Sequence, residues 1–110
     1  MEFDTFRRRA MEIRRQYADL ERRQYGRAWT GEEIALGFIG DVGDLCKLLL
    51  AESGVHHIPD AQAGLAHELA DCLWSLLVLA EAHGIDLEQA FVDTMDALER
   101  HIRAQSAISE

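Results

Sequence analysis

The sequence predicts an all-α domain, an antiparallel four-helix bundle that assembles into an oligomer. Three observations carry that expectation. Apolar residues recur at steps of three and four along most of the chain. No run of alternating β-branched residues marks a strand. Cap and turn signals at Gly26, Thr30, Gly54, Asp60, Gly84 and Asp86 divide the chain into four stretches of bundle length. With 110 residues there is room for one domain around one core.

The first helix is expected over about residues 3–25. Phe3, Phe6, Ala10, Ile13, Tyr17 and Leu20 form a nearly heptad seam on it. Arg8, Glu12, Arg15, Asp19 and Arg22 lie off the seam as a line of alternating charge, the pattern of a solvated face. Gly26 ends this helix and Trp29 sits in the connection. Thr30-Gly31-Glu32-Glu33 has the hydroxyl and carboxylate of a capping box, so the second helix is expected over about 31–53. A loop follows from Gly54 to Asp60. Its His56-His57 pair has no third ligand at zinc-like spacing and reads as surface. Asp60 is placed to cap a third helix over about 61–83. That helix is apolar round most of its circumference and should be the most buried. Asp86 and Gln89 mark a second capping box. The fourth helix is expected over about 87–104, with Leu87, Phe91, Met95, Leu98 and Ile102 on one face and a frayed tail from Ser106.

The net charge of −9 is unevenly spread. Residues 1–27 carry eight Arg against five acids, whereas residues 28–110 carry three Lys or Arg against fifteen acids. So acidic a body disfavours nonspecific nucleic-acid binding. The charged start, Glu2 to Arg9, is unlike a signal peptide. The longest apolar run, Cys72 to Ala80, is broken by Ser75 and too short to span a bilayer. A cytoplasmic chain without membrane contact is therefore expected. Cys46 and Cys72 both lie in apolar helical patterns and read as buried, reduced thiols.

The second helix carries the sharpest anomaly. Gly37, Gly40 and Gly43 stand in its interior, where each costs about 1 kcal/mol against Ala. Asp41 interrupts the apolar stripe Ile34, Phe38, Leu45 and Leu48, and Asp44 lies one turn on. Two carboxylates facing a core lose hydration and repel each other, so a cation is implied. The third helix repeats the arrangement with Glu68 and Asp71, flanked by the small residues Gly64 and Ser75. If the two helices are antiparallel neighbours, four carboxylates converge, and an all-oxygen donor set suits Mg²⁺ or Mn²⁺. The glycines would let the helices approach closely. His67 reads as a partner of these acids rather than a ligand.

At these residues the chain resembles the MazG-like, all-α nucleoside triphosphate pyrophosphohydrolases. Val42-Gly43-Asp44-Leu45 is similar to that family's Val-Gly-Glu-Leu, and Glu68-Leu69-Ala70-Asp71-Cys72-Leu73 to its Glu-Leu-Ala-Asp-Val-Leu. Gly84-Ile85-Asp86-Leu87-Glu88-Gln89-Ala90 is similar to its Gly-Ile-Asp-Leu-Glu-Glu-Ala. The likeness covers about Thr30 to Arg103. It implies Mg²⁺-dependent cleavage of a (d)NTP to (d)NMP and pyrophosphate, for house-cleaning or control of nucleotide pools. Asp41, Asp44, Glu68 and Asp71 would then be the catalytic metal ligands, and a homodimer or homotetramer would be the working form. The alternative within the resemblance is a metal- and nucleotide-binding module without efficient turnover.

The chain departs from the family pattern at identifiable places. Gly40 stands where the first block usually opens with Glu, as in branches that hydrolyse dCTP. Asp41 and Asp44 replace longer glutamates. Thr94-Met95-Asp96-Ala97-Leu98 lacks the family's phosphate-contacting Lys and Asn. Lys47, Arg100, Arg103 or an N-terminal arginine from a second subunit would have to meet phosphate instead, with Trp29 and Trp74 as candidates to stack on a base.

Overall fold

The computed structural model describes residues 2–54 and 57–109. The chain forms α1 (Phe3–Tyr25), α2 (Gly31–Glu52), α3 (Ala61–Ala82) and α4 (Leu87–Ser109), with no strand among the described residues. The ends of these helices follow local chemistry. Gly26 adopts φ 82°, and its N–H donates to Arg22 O to close α1. Both halves of the capping box at α2 are made: Glu33 N–H donates to Thr30 Oγ1 at 3.3 Å and Thr30 N–H to Glu33 Oε1 at 3.0 Å. At α4 only half of the expected box forms. Gln89 N–H donates to Asp86 Oδ1 at 3.1 Å, while the Gln89 side chain turns to Asp93.

Two local expectations are corrected. Asp60 precedes α3 in the left-handed region, φ 55°, and its side chain caps nothing. Helix α4 does not fray at residue 106 but continues to Ser109. Of the histidine pair, His56 and its neighbour Val55 lie outside the described residues; His57 is exposed.

Helices α1 and α2 both pack on α3. Leu48 lies against Gly64 and the Asp41 region faces Asp71, so α2 runs antiparallel to α3. Trp74 Nε1–H donates to Ala10 O at 3.2 Å, and Arg7 Nη1 reaches Glu81 at 3.4 Å, so α1 is antiparallel to α3 as well. The buried residues concentrate on α3, at Cys72, Ser75, Leu77 and Val78, joined by Ala10 and Ile34. Tyr17 and Trp74 meet at 5.9 Å between ring centroids, tilted by 57°, a favourable aromatic geometry. By length and composition α3 could cross a membrane. Its position between two packed helices, with Glu68 and Asp71 at mid-length, is also that of a core helix.

The fourth helix departs from the expected bundle. It makes at most marginal contact with the other three, and Phe91, Val92, Met95, Leu98 and Ile102 are all exposed. The radius of gyration is 17.9 Å, where a compact chain of this length would have roughly 13 Å. An amphipathic pattern requires that a face be covered, not that the same chain cover it.

Two further readings change. Cys72 is buried, but Cys46 is exposed on the outer side of α2. The α2 glycines do not lie at a close helix crossing. A Cβ added at Gly37, Gly40 or Gly43 would meet nothing within 4 Å, whereas one at Gly64 would come 3.1 Å from Leu48 Cδ2. The close approach between α2 and α3 is thus made by the glycine of α3.

Candidate metal centre

The acids of α2 and α3 converge as their spacing implies. Asp41, Asp44 and Glu68 each offer a carboxylate oxygen such that the three lie within 4.8 Å of one another. Glu68 also forms such a group with Asp71 and His67. His67 Nε2 is 3.1 Å from Asp71 Oδ2, one helical turn along the same face. Glu68 is therefore the shared member of both groups. Its Oε2 is buried without a hydrogen-bond partner. An orphaned carboxylate oxygen costs folding free energy and asks for a cation or a proton.

The electrostatics agree with that demand. Burial pushes the Glu68 carboxyl above its ordinary value, and Asp71, Asp41 and Asp44 push it further. Asp41 is raised first by burial, then by Asp71 and Asp44, with His67 opposing. Burial raises the Cys72 thiol as well, and Asp41, Glu68 and Asp71 add to the effect. Cys72 is thus a neutral packing group behind the acids rather than a thiolate ligand. An octahedral Mg²⁺ at about 2.1 Å from its ligands sets their oxygens about 3 to 4.2 Å apart. The oxygens of Asp41, Asp44 and Glu68 lie within 4.8 Å of one another, and an all-oxygen donor set is of the kind that suits a hard cation.

Beside the acids a groove of about 690 Å³ runs between α1 and α2 over α3. Asp41 and Asp71 line it, together with Tyr17, Trp29, Trp74 and Arg14. Trp29 and Trp74, both expected near a base, are therefore brought to the cavity that the acids border. Lys47 and Arg100 are not. Lys47 is exposed on α2 outside the groove lining, and Arg100 is on the unpacked α4.

Arg14 and Glu21 were not anticipated as a pair. Arg14 donates to both carboxylate oxygens of Glu21 at 3.1–3.2 Å, and both side chains are close to buried. Glu21 Oε1 also accepts from Trp29 N–H at 2.7 Å, and Arg14 Nη2 donates to Trp29 O at 2.9 Å. Burial alone would raise Glu21, but the bonds from Arg14 and Trp29 outweigh it and hold its carboxyl below the usual range. The backbone of Trp29 is thereby gripped at both its N–H and its carbonyl, while the indole stays 43% exposed beside the groove. The sequence signal was the seven-residue spacing, which puts two side chains on one helix face two turns apart.

Compared with protein-family models, curated proteins and solved structures, the chain matches none.

Proposed function

We propose that this chain is a Mg²⁺-dependent nucleotide pyrophosphohydrolase that cleaves a (d)NTP to (d)NMP and pyrophosphate. The observation that carries the proposal is the convergence of Asp41, Asp44 and Glu68 around an orphaned buried oxygen, at the edge of an aromatic-lined groove. The resemblance of both acidic blocks to the MazG-like family supports the same reading. In it, Asp41, Asp44 and Glu68 hold the ion and Asp71 completes the acidic set, with His67 beside its Oδ2. A bound divalent ion neutralises the phosphate chain and lowers the pKa of a coordinated water. Trp29, Trp74 and Tyr17 offer planar faces to a base in the groove that the acids border.

The test is pyrophosphate release from a panel of NTPs and dNTPs with Mg²⁺ or Mn²⁺. Wild-type turnover is expected on at least one nucleotide. Loss of a ligand in Glu68→Gln or Asp71→Ala is expected to reduce it by more than about 100-fold. Turnover that survives both substitutions would overturn the assignment.

One observation favours a second reading, a module that binds metal and nucleotide without efficient turnover. Arg14 is the sole Lys or Arg lining the groove among the described residues, and Glu21 already neutralises it. Phosphate charge then has little but the ion to meet. Nucleotide-dependent thermal stabilisation in Mg²⁺, without pyrophosphate release, would select this reading.

A further inference from the structure

The α1–α2 connection is held by more bonds than its position asks for. Trp29 lies on an exposed link, where water can satisfy a backbone N–H and carbonyl at little cost. Here two side chains of α1 take both groups instead. Glu21 Oε1 accepts from Trp29 N–H at 2.7 Å, and Arg14 Nη2 donates to Trp29 O at 2.9 Å. These side chains form a nearly buried ion pair. Stability does not account for that choice, because an apolar pair of similar volume is often as stable or more so. What the charged pair adds is direction: the planar fork of Arg14 meets both Glu21 and Trp29 O in one geometry. On the far side of Trp29, the Thr30–Glu33 capping box and the bonds from Arg27 to Glu33 at 2.6 and 3.1 Å fix the entry to α2. The aromatic residue of the link is thus held from both sides, yet Trp29 is left 43% exposed beside the groove that Asp41 and Asp71 border.

We propose that Arg14 and Glu21 are positioning residues that lock Trp29 in advance as a platform for the base of the nucleotide. The inference rests on the nucleotide reading given above and assigns the pair a part in it. Arg14, Tyr17 and Glu21 share one face of α1, and all three line the groove. Trp74, the other indole of the groove, is held by different contacts, its bond to Ala10 O and the ring of Tyr17. Both indoles are therefore fixed before a ligand arrives. A platform fixed in this way loses less side-chain and loop freedom when a base stacks on it. The pair is not itself a phosphate site. Glu21 neutralises Arg14, and the guanidinium is already engaged with Glu21 and Trp29 O. It should therefore act on the base of a nucleotide and not on its phosphates.

The test separates base from phosphate. The ligands are the α,β-methylene analogues of the common dNTPs and inorganic tripolyphosphate, which has the phosphates and no base. Each is titrated calorimetrically into the full chain in Mg²⁺. In the wild type at least one analogue should bind about 10-fold or more tighter than tripolyphosphate, the effect of one stacked base. Trp29→Ala, and Arg14→Met together with Glu21→Met, should each remove most of that preference while tripolyphosphate binding stays within about 2-fold. If the double variant binds the analogues as tightly as the wild type, the positioning role is wrong and the nucleotide reading stands. If the wild type binds tripolyphosphate and every analogue equally, there is no base platform and the inference again fails alone. A wild type that binds none of these ligands sinks the nucleotide reading, and this inference with it. Positioning is also read without any ligand, by ¹⁹F NMR of 5-fluorotryptophan protein. The Trp29 line, assigned by its loss in Trp29→Phe, should move toward its unfolded-chain position in the double variant while the Trp74 line stays. Should the double variant lose its fold, Arg14→Lys decides. It keeps the charge but not the planar fork, and the same selective movement is expected from it. A Trp29 line that is unmoved in every folded variant, or that moves only together with the Trp74 line, overturns the inference.

Discussion

At the scale of single residues, the costliest local arrangement is the Arg14–Glu21 pair. Nearly buried charges are tolerated only when paired and fully hydrogen-bonded, and here both conditions hold. Glu21→Ala would leave Arg14 without its counter-charge and Trp29 N–H without its acceptor. A loss of about 3–5 kcal/mol is expected, read by urea denaturation. The double change Arg14→Met with Glu21→Met should cost much less, since no lone charge remains. The pair was barely legible in the sequence. A seven-residue spacing between opposite charges is common on solvated helix faces, and the nearby arginines behave in that ordinary way. Arg8 pairs with Asp4, Arg9 with Glu12 and Arg22 with Asp19, all exposed, where such bridges are worth little. What separates Arg14 is burial beneath Trp29, which no residue pattern states. The acids of the candidate metal centre were more legible. A carboxylate inside an apolar stripe is an energetic contradiction visible in one dimension, and two such pairs on successive helices define their own partner.

At the scale of elements, the glycines of α2 and the caps make separate predictions. Nothing lies within 4 Å of a Cβ built at Gly40 or Gly43, so each costs helix propensity without serving a close contact in this chain. Gly40→Ala and Gly43→Ala should each raise stability by up to about 1 kcal/mol, measured as an upward shift in Tm. Gly64→Ala should bring no such gain, because Leu48 must give way. At the start of α2, Arg27 and the bonds around Thr30 hold the Glu33 carboxyl down to about 2. Its pKa is lowered on folding, so its stabilisation is complete above the ordinary carboxyl range. That stabilisation is lost as pH falls from about 4.5 toward 2. Glu33→Gln should therefore lower Tm at neutral pH, leave it nearly unchanged toward pH 2, and so flatten the acid limb of a Tm-against-pH curve in that window. Thr30→Ala should cost about 1 kcal/mol at neutral pH. Helix ends were the most legible part of the chain, because capping is decided by three or four adjacent residues. The length of α4 was not: its final turn contains no strong stop signal, and the helix runs on.

At the scale of the whole molecule, sequence periodicity correctly gave four helices and did not give their assembly. An apolar face is a demand for cover, and the demand reads the same whether the cover comes from the chain itself or from elsewhere. Helix α3 meets it from two sides with α1 and α2, and α4 does not meet it within one chain. Ligand linkage is also a whole-molecule property. If Asp41, Asp44 and Glu68 hold Mg²⁺, the ion relieves their mutual repulsion only in the folded state. Mg²⁺ at 100 times its Kd should then add about 2.7 kcal/mol of stability. Calorimetric scans should show the corresponding rise in Tm for wild type. Glu68→Gln should abolish it, and an unchanged Tm in wild type would count against the site.

The meeting of Tyr17 with Trp74 has an optical consequence. Both tryptophans of the chain border the same groove, but they stand in different surroundings. The Trp74 indole is half-buried, donates to Ala10 O and lies 5.9 Å from Tyr17, so tyrosine excitation should pass to it only while α1 is seated on α3. Trp29 is exposed, and its emission should be red-shifted and open to quenching by iodide. Two colours of light therefore separate two events. Energy transfer reports the docking of α1, and loss of iodide quenching reports occupancy of the groove beside the acids.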